Sequence, residues 1–135
     1  MSQQFYYNGR KVLLGGQTNQ SIDIHNTNDN LENQLEDTIG VSPAIWGPHY
    51  WYVIHTFANS YPNNPNPIEK EVATNFIKIL PFILPCADCS RHAYIYIKTF
   101  YNVIPAIVAN KSNIVEFFRT FHNNVNERLN KPRYY

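Results

Sequence analysis

The sequence has few cysteines, and its apolar runs are short. Its only cysteines, Cys86 and Cys89, are too few and too close together for a disulfide-stapled scaffold. They are therefore structural thiols, part of a metal site, or a redox pair. No apolar run approaches the roughly 20 residues that cross a bilayer, and the first residues lack the basic and apolar segments of a signal peptide. We expect no membrane span and no secretion by the standard route.

The sequence also lacks a strong charge of either sign. Lys and Arg number 11 against 10 Asp and Glu, so no basic field attracts a phosphate backbone. We therefore expect no nucleic-acid partner. The content of 44% hydrophobic and 15% aromatic residues is enough for a core, and 135 residues suit one domain.

Composition changes near residue 41. All five glutamines precede this point, whereas all nine prolines and both tryptophans follow it. Such a polar, aromatic-poor segment buries too little apolar area to offset its ordering entropy. We predict that residues 1–40 form a mostly disordered extension and that residues 41–135 form the folded domain.

No glycine follows Gly47, which disfavours a glycine-turned β architecture. Apolar residues recur at three- and four-residue spacing between the prolines, as in amphipathic helices. We predict an all-α fold, an antiparallel four-helix bundle with short loops. The predicted helices run from Pro48 to before Pro62, from Ile68 to about Phe82, from Cys86 to about Tyr101, and from a Ser112 cap to Lys131. The second helix is expected to bury Val72, Phe76, Ile79 and Leu80. The fourth carries an apolar stripe with the members Ile114, Phe117, Phe118, Phe121, Val125 and Leu129.

Cys86 and Cys89 lie three residues apart at a predicted helix start. There they can form a disulfide across one turn, and the helix dipole favours a thiolate. Two further interpretations stay open at this point. One is a zinc site with ligands Cys86, Cys89, His92 and His122, although this spacing differs from that of common zinc fingers. The other is a pair of buried thiols that pack as small apolar groups.

Two groups of polar and aromatic side chains share helix faces. Trp51 and His55 are four residues apart, as are His122 and Asn126. A single histidine of this kind is usually a satisfied helix residue, but the two groups together favour a flat polar ligand. No G-x-G-x-x-G motif is present, so a Rossmann dinucleotide site is excluded and helices must hold any such ligand.

Four ordered motifs across residues 43–132 resemble the Erv/ALR family of FAD-linked sulfhydryl oxidases, in particular its small members from large cytoplasmic DNA viruses. The motifs are Trp46-Gly47-Pro48-x-x-Trp51-x-x-x-His55, Tyr61-Pro62, Leu84-Pro85-Cys86-x-x-Cys89-x-x-His92, and Phe121-His122-Asn123-x-Val125-Asn126-x-x-Leu129-x-Lys131.

The resemblance implies a thiol oxidase that converts two thiols and oxygen into a disulfide and hydrogen peroxide, with FAD as cofactor and no metal. It implies a bundle with a short extra helix and a homodimer. Cys86 and Cys89 would be the catalytic pair. The residues implied to bind FAD are Gly47, Trp51, His55, His92, His122, Asn123, Val125, Asn126, Leu129 and Lys131. The alternative function is a non-enzymatic helical zinc module that binds a partner protein.

The resemblance also bears on partners and location. Cellular family members often carry a second, shuttle cysteine pair, which this sequence lacks. We therefore expect the thiol substrate to be a thioredoxin-like or small two-cysteine relay protein. A viral member is expected in the host cytoplasm, at virus assembly sites or in the virion. A chain that begins at Val41 is expected to keep flavin binding, because the predicted extension lies outside the resemblance.

Overall fold

A computed structural model describes the backbone of residues 5–7 and 10–12 and all of residues 42–135. Strands β1 (Phe5–Tyr7) and β2 (Arg10–Val12) pair antiparallel, with Phe5 opposite Val12. The rest of the predicted extension lies outside the described residues. The division of the chain at residue 41 therefore stays a prediction.

All regular secondary structure within residues 42–135 is helical. The helices are α1 (Pro43–Ser60), α2 (Pro67–Ile83), α3 (Ala87–Lys98), α4 (Ile104–Ile107) and α5 (Lys111–Arg128), with a 3₁₀ turn at Tyr101–Val103. Helix α2 packs against α3, and α1 packs against α5, while the short α4 contacts α2 and α5. This arrangement confirms the predicted four-helix fold and the short extra helix. None of the described helices is long and apolar enough to cross a membrane.

Helix α1 begins five residues earlier than predicted. The Ser42 side chain accepts a hydrogen bond from the Ala44 N–H at 3.3 Å, so Ser42 is the N-cap and Pro43 the first helical residue. Pro48, the predicted start, lies inside the helix, where it has no N–H to donate to the Ala44 carbonyl. The prediction was wrong because both prolines suit a first turn and only the first follows a capping serine.

The buried side of helix α2 differs from the predicted one. Leu80 is buried and Phe76 packs against the core, but Val72 and Ile79 are 54% and 50% exposed. Ala73 and Ile77 occupy the buried positions instead. Apolar residues lie on both sides of this helix, so periodicity alone does not select the core side.

The other two long helices both end about three residues earlier than predicted, and α5 also begins earlier, at Lys111. Cys86 is the N-cap of α3, and this helix ends at Lys98 rather than near Tyr101. Helix α5 is capped by Asn110, whose side chain accepts from the Asn113 N–H at 2.9 Å, and not by Ser112. The predicted stripe of α5 is confirmed at Ile114, Phe117, Phe118 and Phe121, which are buried, and Val125 packs against this core. The prediction was wrong for Leu129, which lies just past the last helical residue and is 45% exposed.

Candidate functional site

A cavity of about 700 Å³ lies beside the contact between α1 and α5. This volume falls within the range of about 300 to 1,000 Å³ that is usual for small-molecule and cofactor sites. Its lining is mainly apolar and aromatic, and the charged side chains of Arg128 and Lys131 also reach it. Nine of the residues predicted from the sequence line it: Gly47, Trp51, His55, Cys89, His122, Val125, Asn126, Leu129 and Lys131.

Flat rings from α1 and α5 form one part of this lining. The rings of Trp51 and His122 stack with centroids 3.9 Å apart and planes 9° apart. His55 lies one turn after Trp51 and stacks on it at 5.7 Å. The packing of α1 against α5 therefore brings together the two polar and aromatic groups that the sequence predicted to share one ligand.

The two histidines are hydrogen bonded to each other. His55 Nε2 and His122 Nδ1 are 2.8 Å apart, a distance that requires one ring to donate and the other to accept. The pKa of His122 is lowered to about 4, mainly by burial and also by the nearby His55 and Lys131. Burial also lowers the pKa of His55. Both rings are therefore neutral at neutral pH, which leaves the accepting ring the free nitrogen lone pair that the hydrogen bond needs.

This pair makes stability depend on pH. An unfolded histidine titrates near pH 6.5, whereas folded His122 titrates near pH 4. Between these values the unfolded chain binds more protons, so the free energy of unfolding falls as the pH falls through this window. We expect the melting temperature of the purified protein to drop more steeply from about pH 6.5 to pH 4 than that of a His122→Asn variant, which lacks the titrating ring. Parallel melting curves for the two proteins would contradict this assignment.

Cys86 and Cys89 meet at the start of α3. Their sulfur atoms are 2.6 Å apart, close enough for a disulfide to form with little movement, and both thiols are free. The Cys89 N–H also donates to Cys86 Sγ at 3.3 Å, as in an N-cap. Cys89 lines the cavity, whereas Cys86 is absent from its lining. The pair therefore has one sulfur toward the cavity and one away from it.

Hydrogen bonding separates the acidities of the two thiols. The Cys89 thiol donates to Cys86, and this bond lowers the pKa of Cys86 to about 6 against an opposing effect of burial. The same bond, together with burial, raises the pKa of Cys89, while the positive charge of Arg128 opposes the rise. In the reduced pair, Cys86 is therefore the thiolate at neutral pH and Cys89 keeps its proton.

Three predicted site residues do not line the cavity. One is Cys86 itself. His92 is half-buried on α3, where burial lowers its pKa and the charges of Arg128 and Arg91 lower it further. The Asn123 side chain bonds to the main chain of Tyr134. The cofactor-binding roles predicted for His92 and Asn123 therefore stay predictions.

Sequence reasoning missed several residues that line the cavity, among them Tyr50, Arg128 and Tyr134. Tyr50 Oη donates to the Ile83 carbonyl at 2.8 Å and so ties α1 to the end of α2. Arg128 lies inside the last quoted motif, at a position that the motif leaves open. Tyr134 lies beyond every quoted motif, and no spacing signal in the sequence points to it.

The residues of the cavity fit a flavin cofactor. Gly47 lies in the lining, and a Cβ built there meets no protein atom within 4 Å, so the space beside it is free for a ligand. The stacked rings offer flat surfaces, and Arg128 and Lys131 offer positive charge for a diphosphate.

A zinc site fits the described residues less well than a flavin does. No group of three or more His, Cys, Asp or Glu side chains that could hold a metal ion occurs in the described part of the chain.

Comparison with known proteins places this chain in one family. The Erv1/Alr family model matches residues 48–135, and the chain belongs to this family. A protein of Invertebrate iridescent virus 6, named as a candidate FAD-linked sulfhydryl oxidase, is 45% identical over 95 residues, which cover 68% of this chain and 86% of the relative. The FAD-linked sulfhydryl oxidase of an African swine fever virus isolate from Kenya is 36% identical over 86 residues, 64% of this chain and 69% of the relative.

A solved structure shows the same fold. The crystal structure of the yeast Erv1 core superposes with a TM-score of 0.63 at 27% sequence identity. The match covers 69% of this chain and 75% of that one. The all-α architecture predicted from the sequence is therefore that of a known helical family member.

Proposed function

We propose that this chain is an FAD-linked sulfhydryl oxidase that makes disulfide bonds in protein thiols and delivers the electrons to oxygen. The observation that carries the proposal is the placement of the cysteine pair. Cys89 lines the same cavity as the stacked Trp51 and His122 rings, while Cys86 caps α3 outside the lining. A pair placed in this way connects an external thiol with a cofactor in the cavity.

The exchange steps follow from thiol chemistry. A substrate thiolate attacks Cys86 Sγ of the oxidised pair, the Cys86–Cys89 bond breaks, and the electron pair leaves on Cys89. A second substrate thiolate then attacks the substrate sulfur of the mixed disulfide and releases Cys86. The low pKa of Cys86, about 6, makes it a good leaving group in this second step. The products are a substrate disulfide and a reduced Cys86–Cys89 pair.

Bound FAD would take two electrons from the reduced pair and pass them to oxygen, giving hydrogen peroxide. The chain's own residues would position it. Trp51, His55 and His122 provide ring surfaces, and Lys131 and Arg128 provide positive charge. The apolar remainder of the lining would exclude water from the cofactor beside Cys89.

Two measurements on the purified protein test this function. The protein is expected to be yellow, with flavin absorption at about one flavin per chain, and to consume oxygen when dithiothreitol is added. A colourless protein that consumes no oxygen after incubation with FAD would contradict the proposal. A colourless protein with stoichiometric zinc would favour the interaction module instead.

The electron donor in the cell is proposed to be a separate dithiol protein, of the thioredoxin-like or small two-cysteine kind. Both cysteines of the sequence belong to the Cys86–Cys89 pair. This pair must therefore receive electrons from a thiol outside these 135 residues. We place the reaction in the host cytoplasm or at virus assembly sites, in keeping with the viral relatives. Reducing conditions there would otherwise leave new disulfides unmade.

The active form is proposed to be a homodimer. Helices α1 and α2 meet through the Phe57 and Phe76 rings, 4.2 Å apart. Val53 and Val72 each lie one turn from that contact and are 58% and 54% exposed. Further exposed apolar side chains on these two helices are Ile45, Tyr52, Ile68 and Ile79. An apolar surface of this kind is typical of a protein interface.

A charge placed in this surface tests the dimer. We expect the purified protein to have the mass of a dimer by light scattering and Val72→Glu to shift it to a monomer, because a buried unpaired carboxylate opposes association. The matched control is Val103→Glu, since Val103 is 48% exposed but lies after α3. Monomeric wild-type protein at micromolar concentration, or equal effects of the two substitutions, would count against this surface.

A further inference from the structure

The end of α5 turns the chain back toward the helix. Asn130 adopts a positive φ of 54°, in the left-handed region that asparagine tolerates. The Lys131 N–H donates to the Asn126 carbonyl at 2.8 Å, and the Asn130 N–H donates to the Glu127 carbonyl at 3.1 Å. These two bonds are those of a Schellman motif. The motif ends the helix and reverses the direction of residues 131–135.

The reversed segment is tied to α5 by one side chain. Asn123 Oδ1 accepts from the Tyr134 N–H at 2.7 Å, and Asn123 Nδ2 donates to the Tyr134 carbonyl at 2.9 Å. Both polar atoms of the amide are therefore used on one residue of the returning chain. These two hydrogen bonds fix the main chain of Tyr134 beside α5.

The ring of Tyr134 then lies among the rings of the cavity. It stacks on His55 with centroids 4.3 Å apart and on His122 at 4.7 Å. Tyr134 is half-buried, whereas the residues on either side of it are exposed, and Tyr135 is 89% exposed. Tyr134 is therefore the one residue of segment 131–135 that is partly buried against the helices.

We propose that residues 131–135 form a strap, held by Asn123, that presents Tyr134 as a wall of the cofactor cavity and as a stacking surface for a flat ring of the bound cofactor. In this proposal Tyr134 is a cofactor-binding residue and Asn123 is a positioning residue that acts through it. This assignment differs from direct contact between Asn123 and the cofactor. It rests on the proposed function, since it requires that the cavity holds FAD.

The decisive measurement is the affinity of the flavin-free protein for FAD, followed by quenching of flavin fluorescence. Loss of an aromatic stacking partner typically costs about 1 to 3 kcal/mol, so Tyr134→Ala should raise the Kd about fivefold to 150-fold. Tyr134→Phe keeps the ring and should bind like the wild type. The control Tyr135→Ala removes the exposed neighbouring ring and should leave the Kd unchanged.

The positioning role has its own readout. Asn123→Ala should weaken FAD binding to a similar extent. The double variant Asn123→Ala/Tyr134→Ala should bind FAD no more weakly than the weaker-binding single variant, because both substitutions remove the same stacking contact of the Tyr134 ring. The main-chain amide of residue 134 should lose its protection from hydrogen exchange in Asn123→Ala. It should keep that protection in Tyr134→Ala, because the hydrogen bond to Asn123 does not involve the side chain of Tyr134. Asn124→Ala is the matched control, since Asn124 is the adjacent exposed amide on α5.

The outcomes separate this proposal from the oxidase function. Wild-type protein that binds no FAD would overturn the proposed function. Wild-type protein that binds FAD, together with Tyr134→Ala of unchanged affinity, would overturn the strap and leave the oxidase intact. Tighter binding by Tyr134→Ala would also overturn it, because the ring would then occupy the cofactor's place rather than line it.

Discussion

Serine in place of either cysteine is expected to abolish dithiol oxidation, with rates lower by at least about 1,000-fold, because the two sulfurs act as one unit. The two variants should nevertheless differ. Cys86→Ser leaves Cys89 alone at the cavity and removes the hydrogen bond that most strongly raises its pKa. In this variant the Cys89 thiolate beside oxidised flavin should give long-wavelength charge-transfer absorption. The band should fade as the pH falls through the pKa of Cys89.

Cys89→Ser should lack that band. Its remaining thiol, Cys86, lies outside the cavity lining and should trap dithiol proteins as mixed disulfides that no internal thiol resolves. Visible spectra across a pH series and non-reducing electrophoresis distinguish the variants. The band in Cys89→Ser together with its absence in Cys86→Ser would reverse the roles of the two cysteines.

Alanine at His122 is expected to weaken FAD binding by at least about tenfold and to lower the melting temperature of the flavin-loaded protein. The substitution removes the ring stacked on Trp51 at 3.9 Å and leaves His55 without its hydrogen-bond partner. A ligand that binds only the folded state stabilises it by mass action, so excess FAD should recover part of the lost melting temperature.

The matched control for this prediction is His49→Ala. His49 is an exposed histidine on α1 that is absent from the cavity lining. The His49→Ala substitution should leave both the flavin affinity and the melting temperature close to those of the wild type. Equal flavin retention by His122→Ala and the wild type would mean that the cavity ring has been assigned the wrong role.

The parts of the fold that follow local rules are predictable from the sequence. Helix α5 carries a long apolar stripe, and four of its members, Ile114, Phe117, Phe118 and Phe121, are buried as predicted. Cys86 lies at the start of α3 because Pro85 stops the preceding helix and the cap position suits a residue in extended conformation. The residue types and helix faces of the Trp51–His55 and His122–Asn126 groups predict a flat polar ligand, although not the direct stacking of Trp51 on His122.

Other features depend on tertiary contacts that periodicity does not encode. Helix α2 packs against α3 and contacts α4, and its buried side includes Ala73 and Ile77 while Val72 stays exposed. The strap depends on a positive φ at Asn130 and on main-chain bonds to Asn123, an interaction across 11 residues. Main-chain partners leave no side-chain pattern, so Tyr134 could not be predicted as a cavity residue.

The central claim is that electrons enter at the Cys86–Cys89 pair and reach a flavin in the adjoining cavity. Anaerobic titration of the flavin-loaded protein with dithiothreitol tests it most directly, with the flavin absorption as the readout. About one dithiol per flavin should bleach the wild-type protein, and readmitted oxygen should restore the colour and produce peroxide. The double variant Cys86→Ser/Cys89→Ser should stay yellow. Bleaching of this variant at the wild-type rate, or a wild-type flavin that dithiol does not reduce, would contradict the account.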